Sequence, residues 1–218
     1  MIVIFLFPSS GHSETDLRWR YDGTISNGTK KIKTKLQNTY HGFLSSGGIY
    51  LAGYMIDSNG LNLPYAVFVS EDLSEQTYWT QEASVVQFFN YKSNLYLLDE
   101  DGGVQVLEGQ KWGKEGFSLR PNSIIVSSSS HIVACNPAPL RKNSRTKGGC
   151  YSLQKKWQVD MNWRESIPVV CGKYLAIVED FPEGKKGHKL DLETGKLVES
   201  RPLENPGTGQ VLCKSFVH

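Results

Sequence analysis

No apolar run in the chain approaches the roughly 20 residues that a membrane-crossing helix needs. There is no Gly-x-x-x-x-Gly-Lys-Ser/Thr phosphate cradle, no Gly-x-Ser-x-Gly nucleophile turn and no His-Glu-x-x-His zinc helix. Cys-x-x-Cys and His-x3-His spacings are also missing, which removes the common zinc frameworks. Charge of one sign does not dominate. The 24 Lys and Arg face 22 Asp and Glu, for a net charge of +2. Composition therefore demands neither a nucleic-acid partner nor an anionic bilayer. Helical periodicity is scarce too. Residues 71–77 and 158–164 are each expected to form a turn or two at most, short of a stable amphipathic helix. No catalytic residue, cofactor or metal ligand is assigned, and the chain is read as non-enzymatic.

Strand signals fill the space that helices leave. The 218 residues are 39% hydrophobic and 11% aromatic, enough for one globular domain with a packed core. Residues 48–55 and 65–69 are apolar and aromatic, and Asn59-Gly60 between them is a strong hairpin signal. Further strands are expected at 84–89, 94–98, 104–107, 123–126, 131–134, 169–172, 173–178, 190–192 and 197–199. Asp99-Glu100-Asp101-Gly102-Gly103 and Glu193-Thr194-Gly195-Lys196 supply turns.

The strands fall into units at Tyr50 to Trp79, Tyr96 to Trp112, Val133 to Trp157 and Tyr174 to Leu197. Their spacing of about 40 residues is that of a four-stranded propeller blade. The expected fold is all-β: a small β-propeller or a propeller-like stack of antiparallel sheets, with a β-sandwich as the alternative. Residues 14–218 are read as one domain.

The order of residues 1–13, an apolar stretch and then small residues, is that of the end of a secretory signal peptide. The same residues could also be a buried first strand. Four cysteines permit two disulfides in three connectivities. Cys135 and Cys150 flank a polar loop, and closing a loop of that length contributes roughly 3 kcal/mol. Cys171 and Cys213 then pair by default. The competing reading is four buried free thiols. Disulfides and a signal peptide both imply a secreted or periplasmic location.

Ser70-Glu71-Asp72-Leu73-Ser74-Glu75-Gln76-Thr77-Tyr78-Trp79 resembles the Asp-box, or BNR, repeat of sialidase-like propellers, Ser-x-Asp-x-Gly-x-x-Trp. Ser70, Asp72 and Trp79 match in type. Ser74 stands in for the glycine, and Trp79 falls further along than the motif places it. The resemblance implies a hairpin whose Asp caps the turn and whose Trp packs between strands. It implies a structural role, so no catalytic residue is carried over.

Other clusters have two readings each. His12, His41, His131, His188 and His218 show no ligand spacing. Asp99-Glu100-Asp101 could hold Ca²⁺ but sits at a hairpin tip. Lys30-Lys31-Ile32-Lys33-Thr34-Lys35 could meet a polyanion, or defend an edge strand against aggregation. Asn27-Gly28-Thr29 fits an N-glycosylation sequon. The basic loop carrying Arg141, Lys142, Arg145 and Lys147 is the expected partner contact, with a variable solvated insertion as its other reading. The terminal segments 16–21 and 210–217 are expected to share a sheet. These features together favour an extracytoplasmic binding module for a protein partner, such as an inhibitor or immunity-type protein. Glycan recognition through Trp19, Trp112 or Trp163 is the alternative, and a blade segment of a larger protein is a third reading.

Overall fold

The computed structural model describes residues 16–121, 123–127, 131–137, 148–161, 168–181, 184–203 and 213. The basic loop, both outer histidines, Trp163, the N-terminal 1–13 and nearly all of 210–217 lie outside them. Among the described residues the extended elements are strands throughout, and no helix is long and apolar enough to cross a membrane. The chain divides into two compact units between Val85 and Val86.

The first unit holds two sheets. β1 (Arg18–Trp19), β2 (Thr24–Ser26) and β3 (Lys31–Lys33) form an antiparallel sheet in chain order. β4 (Asn38–Ser45), β5 (Gly48–Ile56), β6 (Asn62–Ser70) and β7 (Gln76–Thr80) form the second. Alternation sends Ile49, Leu51, Val67 and Val69 into a core with Ile25 and Leu36, all nearly solvent-free. Each such side chain contributes roughly 1.5–3 kcal/mol by leaving water. The opposite face of β5–β7 carries Tyr50, Phe68 and Trp79, with Trp79 stacked on Tyr50 at 6.5 Å. Trp19 packs against Gly42 of β4 so closely that a Cβ there would collide with the indole. Only glycine admits that approach. The lysine-rich β3 is an edge of its sheet, pairing with β2 alone.

The second unit holds three more sheets, each again of consecutive strands. The first is β8 (Val85–Tyr91), β9 (Asn94–Asp99), β10 (Gly103–Glu108) and β11 (Lys111–Ser118). The next is β12 (Ile124–Ser127), β13 (Ile132–Asn136), β14 (Gly148–Ser152) and β15 (Gln158–Met161). The last is β16 (Val169–Cys171), β17 (Tyr174–Phe181), β18 (Gly184–Asp191) and β19 (Leu197–Leu203).

The middle sheet is buried on both faces. Ile132 and Ala134 pack with Tyr96, Leu98 and Val106, while Val133 and Cys135 pack with Leu175, Ile177 and Leu190. The Gln87 amide clamps β12, donating to the Ile125 carbonyl at 2.7 Å and accepting from its N–H at 2.8 Å. Five separate up-and-down sheets are the layout of propeller blades, not of two broad sandwich sheets joined by Greek-key crossings.

Residues 158–161 depart from the helical-turn expectation. They pair with β14 from Gly148↔Met161 to Tyr151↔Gln158, and this ladder overrides the weak local preference. Residues 71–75 are a hairpin turn, and 76–77 already belong to β7.

Candidate functional site

Both disulfides form as expected. Cys135 and Cys150 face each other across β13 and β14, both fully buried, and Cys171 of β16 joins Cys213. The bridge at Cys150 fixes the base of the β14–β15 hairpin, whose tip forms one wall of an open cleft of about 440 Å³.

That hairpin has a close counterpart in β18–β19. Ser152 N–H donates to the Trp157 carbonyl at 3.0 Å, and Lys156 N–H to the Ser152 carbonyl at 3.2 Å. Asp191 N–H and Gly195 N–H make the matching bonds to Lys196 and Asp191, at 3.0 and 2.8 Å. Gly195 takes φ +67°, the left-handed conformation glycine adopts freely. Lys156 takes φ +56° in the same place. An L-residue with a long side chain pays roughly 1–2 kcal/mol for that conformation. This strain places a cation at the cleft.

The two hairpins interlock. Trp157 Nε1 donates to the Leu192 carbonyl at 2.9 Å, and Gly195 lies so close to the indole that a Cβ would fall 2.6 Å from it. Glu193 reaches across to His131 Nε2 at 2.9 Å and to Lys155 Nζ at 2.5 Å, which lowers its pKa. Trp157 is thereby held at a fixed angle, half-buried, with Tyr151 beside it on the cleft wall.

The other wall is the end of β11. Leu119 N–H donates to the Gly102 carbonyl at 2.8 Å, and the Arg120 carbonyl accepts from Ser123 Oγ at 2.6 Å. The Arg120 guanidinium stands 6.0 Å from the Tyr151 ring centroid. Ser118, Ser152 and Gln158 add hydrogen-bonding groups. The nearby Asp160 carboxylate already accepts from Gln158 Nε2 at 3.0 Å. Arg120 and Lys156 are both exposed, and among the described residues neither has a carboxylate partner. The arrangement can hold an anionic group between two cations, above two aromatic side chains.

The other sequence candidates divide. Asp72 Oδ1 accepts from Ser70 Oγ at 2.7 Å, Ser74 Oγ at 2.8 Å and Ser74 N–H at 3.1 Å. These donors hold its pKa down at about 2. Trp79, half-buried on Tyr50, is on the same hairpin. Asp99 accepts from Asp101 N–H and Gly103 N–H, so the acidic triplet caps its own turn. The Asn27 amide accepts from Lys30 N–H at 2.9 Å and donates to the Glu71 carbonyl, which commits the sequon side chain to structure. Trp19 and Trp112 are half-buried, with Trp112 against Phe88, so neither is an open aromatic platform. Arg141, Lys142, Arg145 and Lys147 lie outside the described residues.

In the sequence Trp157 marks only the end of a strand unit, and nothing in the local pattern singles out Arg120 or Lys156. His131 meets Glu193 on the turn of the next sheet and His188 meets Glu179 on the neighbouring strand, pairings invisible in spacing. His188 is buried, which lowers its pKa.

No protein-family model matches the sequence, and no curated protein matches it. Solved structures do. The chain is similar to a dihydro-heme d1 dehydrogenase, NirN, in complex with DHE, at 13% identity and a TM-score of 0.52. That match covers 88% of this chain and 45% of that one. It is similar to Hsv2 of Kluyveromyces marxianus, at 13% identity and a TM-score of 0.53, covering 87% and 65%. Hsv2 of Kluyveromyces lactis follows at 12% identity and a TM-score of 0.50, covering 82% and 57%. All are β-propellers, and the fold of this chain is propeller-like. The chain spans about half to two thirds of the length of these neighbours.

Proposed function

We propose that this chain is a non-enzymatic binding module that works outside the reducing cytosol, secreted or periplasmic, and presents its hairpin tips to a protein partner. In this reading it blocks or chaperones that partner, as an inhibitor or immunity-type protein does. The cleft between Arg120 and Lys156 receives an acidic segment of the partner. One observation carries the reading: a strained lysine occupies the turn position that the sister hairpin gives to Gly195. Residues held in unfavourable backbone conformations cluster at functional sites. The two disulfides support an oxidising compartment. The Ser70–Asp72 turn supports descent from an Asp-box hairpin, and the recurring turn ties support an internal repeat.

Titrating the intrinsic tryptophan fluorescence with a Glu-rich peptide tests this. Binding is expected to weaken by about three- to tenfold in Arg120→Gln and in Lys156→Gly, the size of a partly shielded charge contact. Lys156→Gly is also expected to hold or raise Tm, because it relieves the left-handed strain. Peptide binding unchanged in both variants would overturn the reading. Tyr151 and Trp157 favour a second reading, a glycan on the aromatic wall. Saturable binding of a neutral oligosaccharide, with none of the acidic peptide, would select it.

A further inference from the structure

The three-stranded sheet has a face that the cleft does not involve. Its register sets Arg18 opposite Ser26 and Ser26 opposite Lys31. One step along, Thr24 pairs with Lys33, and Arg20 N–H donates to the Thr24 carbonyl at 2.9 Å. The intervening row, Trp19, Ile25 and Ile32, turns the other way into the core. Alternation therefore gathers Arg18, Arg20, Lys31 and Lys33 on one face in two cross-strand rows, with hydroxyl residues between them. All four cations are exposed, and among the described residues none is in a salt bridge. Strand spacing puts the cations of one row about 10 Å apart and the rows about 7 Å apart. Lys30 and Lys35 flank the array.

Two carboxylates stand near it. Asp22 caps the β1–β2 turn through Thr24 N–H at 3.0 Å. Asp16 lies beside Gly28 at the opposite end of the sheet. Asp22 is within electrostatic reach of Lys33 and Arg20, and the array of four still carries a net positive charge. Edge protection accounts for lysines on β3. It does not by itself require Arg18 and Arg20, at the other edge, to share a face with them, which the register imposes.

We propose that this face binds a sulfated polysaccharide. A regularly spaced array of cations, with the half-buried Ser26 between Arg18 and Lys31, complements a chain that carries acid groups at intervals along its length. The four cations are not accompanied by the apolar face that anchors a protein in a bilayer interface. The inference rests on the location proposed above, outside the reducing cytosol, which the two disulfides support and where polysaccharide, not nucleic acid, is the common polyanion. The inference does not rest on the cleft or on its ligand.

The test is binding of the full chain to immobilised heparin across a salt series. The variant Arg18→Gln, Arg20→Gln, Lys31→Gln, Lys33→Gln is expected to bind about tenfold or more weakly at physiological salt and to show a shallower salt dependence. A charge-matched control, Lys92→Gln, Lys111→Gln, Lys173→Gln, Lys196→Gln, all outside the cleft, is expected to bind as the parent does. Circular dichroism confirms that both variants are folded, and single Lys31→Gln and Lys33→Gln replace the fourfold variant if it is not. Equal losses in the array variant and the control would overturn the proposal. So would tighter binding to phosphatidylglycerol vesicles or to duplex DNA than to heparin.

Discussion

The sheet β4–β7 and the short strands of β12–β15 and of β16 solve one problem in different ways. In the first, three strands run eight or nine residues and pair along nearly their full length, with no cysteine among them. In β12–β15 no strand exceeds five residues, and β16 has three. The disulfides sit in those sheets, one across β13 and β14 and one tying β16 to Cys213. A long ladder with alternating apolar residues holds itself together. A short ladder buries too little surface to do so, and a covalent tie makes up the difference.

Breaking the ties should break the likeness between the sheets. The Cys171–Cys213 link closes a separation of 42 residues. On chain-entropy grounds the double variant Cys171→Ala, Cys213→Ala loses about 4 kcal/mol. Amide exchange is expected to rise first in β16 and β17, while β5 and β6 stay protected. Uniform loss of protection would mean that the long ladders depend on the disulfides as much as the short ones do.

The first unit has its own weak point. Burial pushes the pKa of His41, on β4, down to about 4. Unfolded histidine titrates near 6.5, so the unfolded chain binds the proton first. The stability that neutral His41 contributes is complete above about pH 6.5 and is lost as pH falls toward 4. Urea midpoints across that range should decline in the parent and decline less in His41→Gln. An identical slope in both would place the acid sensitivity elsewhere.

The smallest effect is expected at Asp72. Its carboxylate is exposed, and its pKa is held at about 2 by the Ser70 and Ser74 hydroxyls. The contribution is present above its unfolded value near 3.9 and fades as pH falls through 2. Asp72→Ala is expected to lower Tm slightly at neutral pH and to match the parent at pH 2. A drop of equal size at both pH values would show that the turn depends on packing, not on the charged cap.

Much of the fold was legible because several strands are apolar and aromatic runs of five or more residues, some alternating, set between turn residues. β5, β6, β9, β10 and β17 are of this kind. β4 was not legible. Its register slips between Thr39 and His41, so Tyr40 interrupts the alternation. β18 is Gly-Lys-Lys-Gly-His-Lys-Leu-Asp, too polar to read as a strand, and it also shifts register at Lys189. β14 opens on two glycines. The cleft was illegible for another reason. Arg120 and Lys156 lie far apart in the chain, and only the docking of one sheet end beside the next hairpin brings them together. The left-handed turn at Lys156 leaves no composition signal, because its identity departs from the glycine that such a turn favours.

Because each sheet is built from consecutive strands, each is also a contiguous stretch of chain, 38–80, 85–118, 124–161 and 169–203 for the four larger ones. Contacts that are local in sequence form fast, and domains assemble from the N-terminus as synthesis proceeds. Cys135 and Cys150 therefore face each other in a completed hairpin before Cys171 or Cys213 has left the ribosome or the export channel. Of the three ways to join four cysteines, the two wrong ones both require Cys135 to wait for a partner not yet made. The order of manufacture thus proofreads the disulfides, and a molecule refolded from the fully reduced, full-length chain loses that advantage.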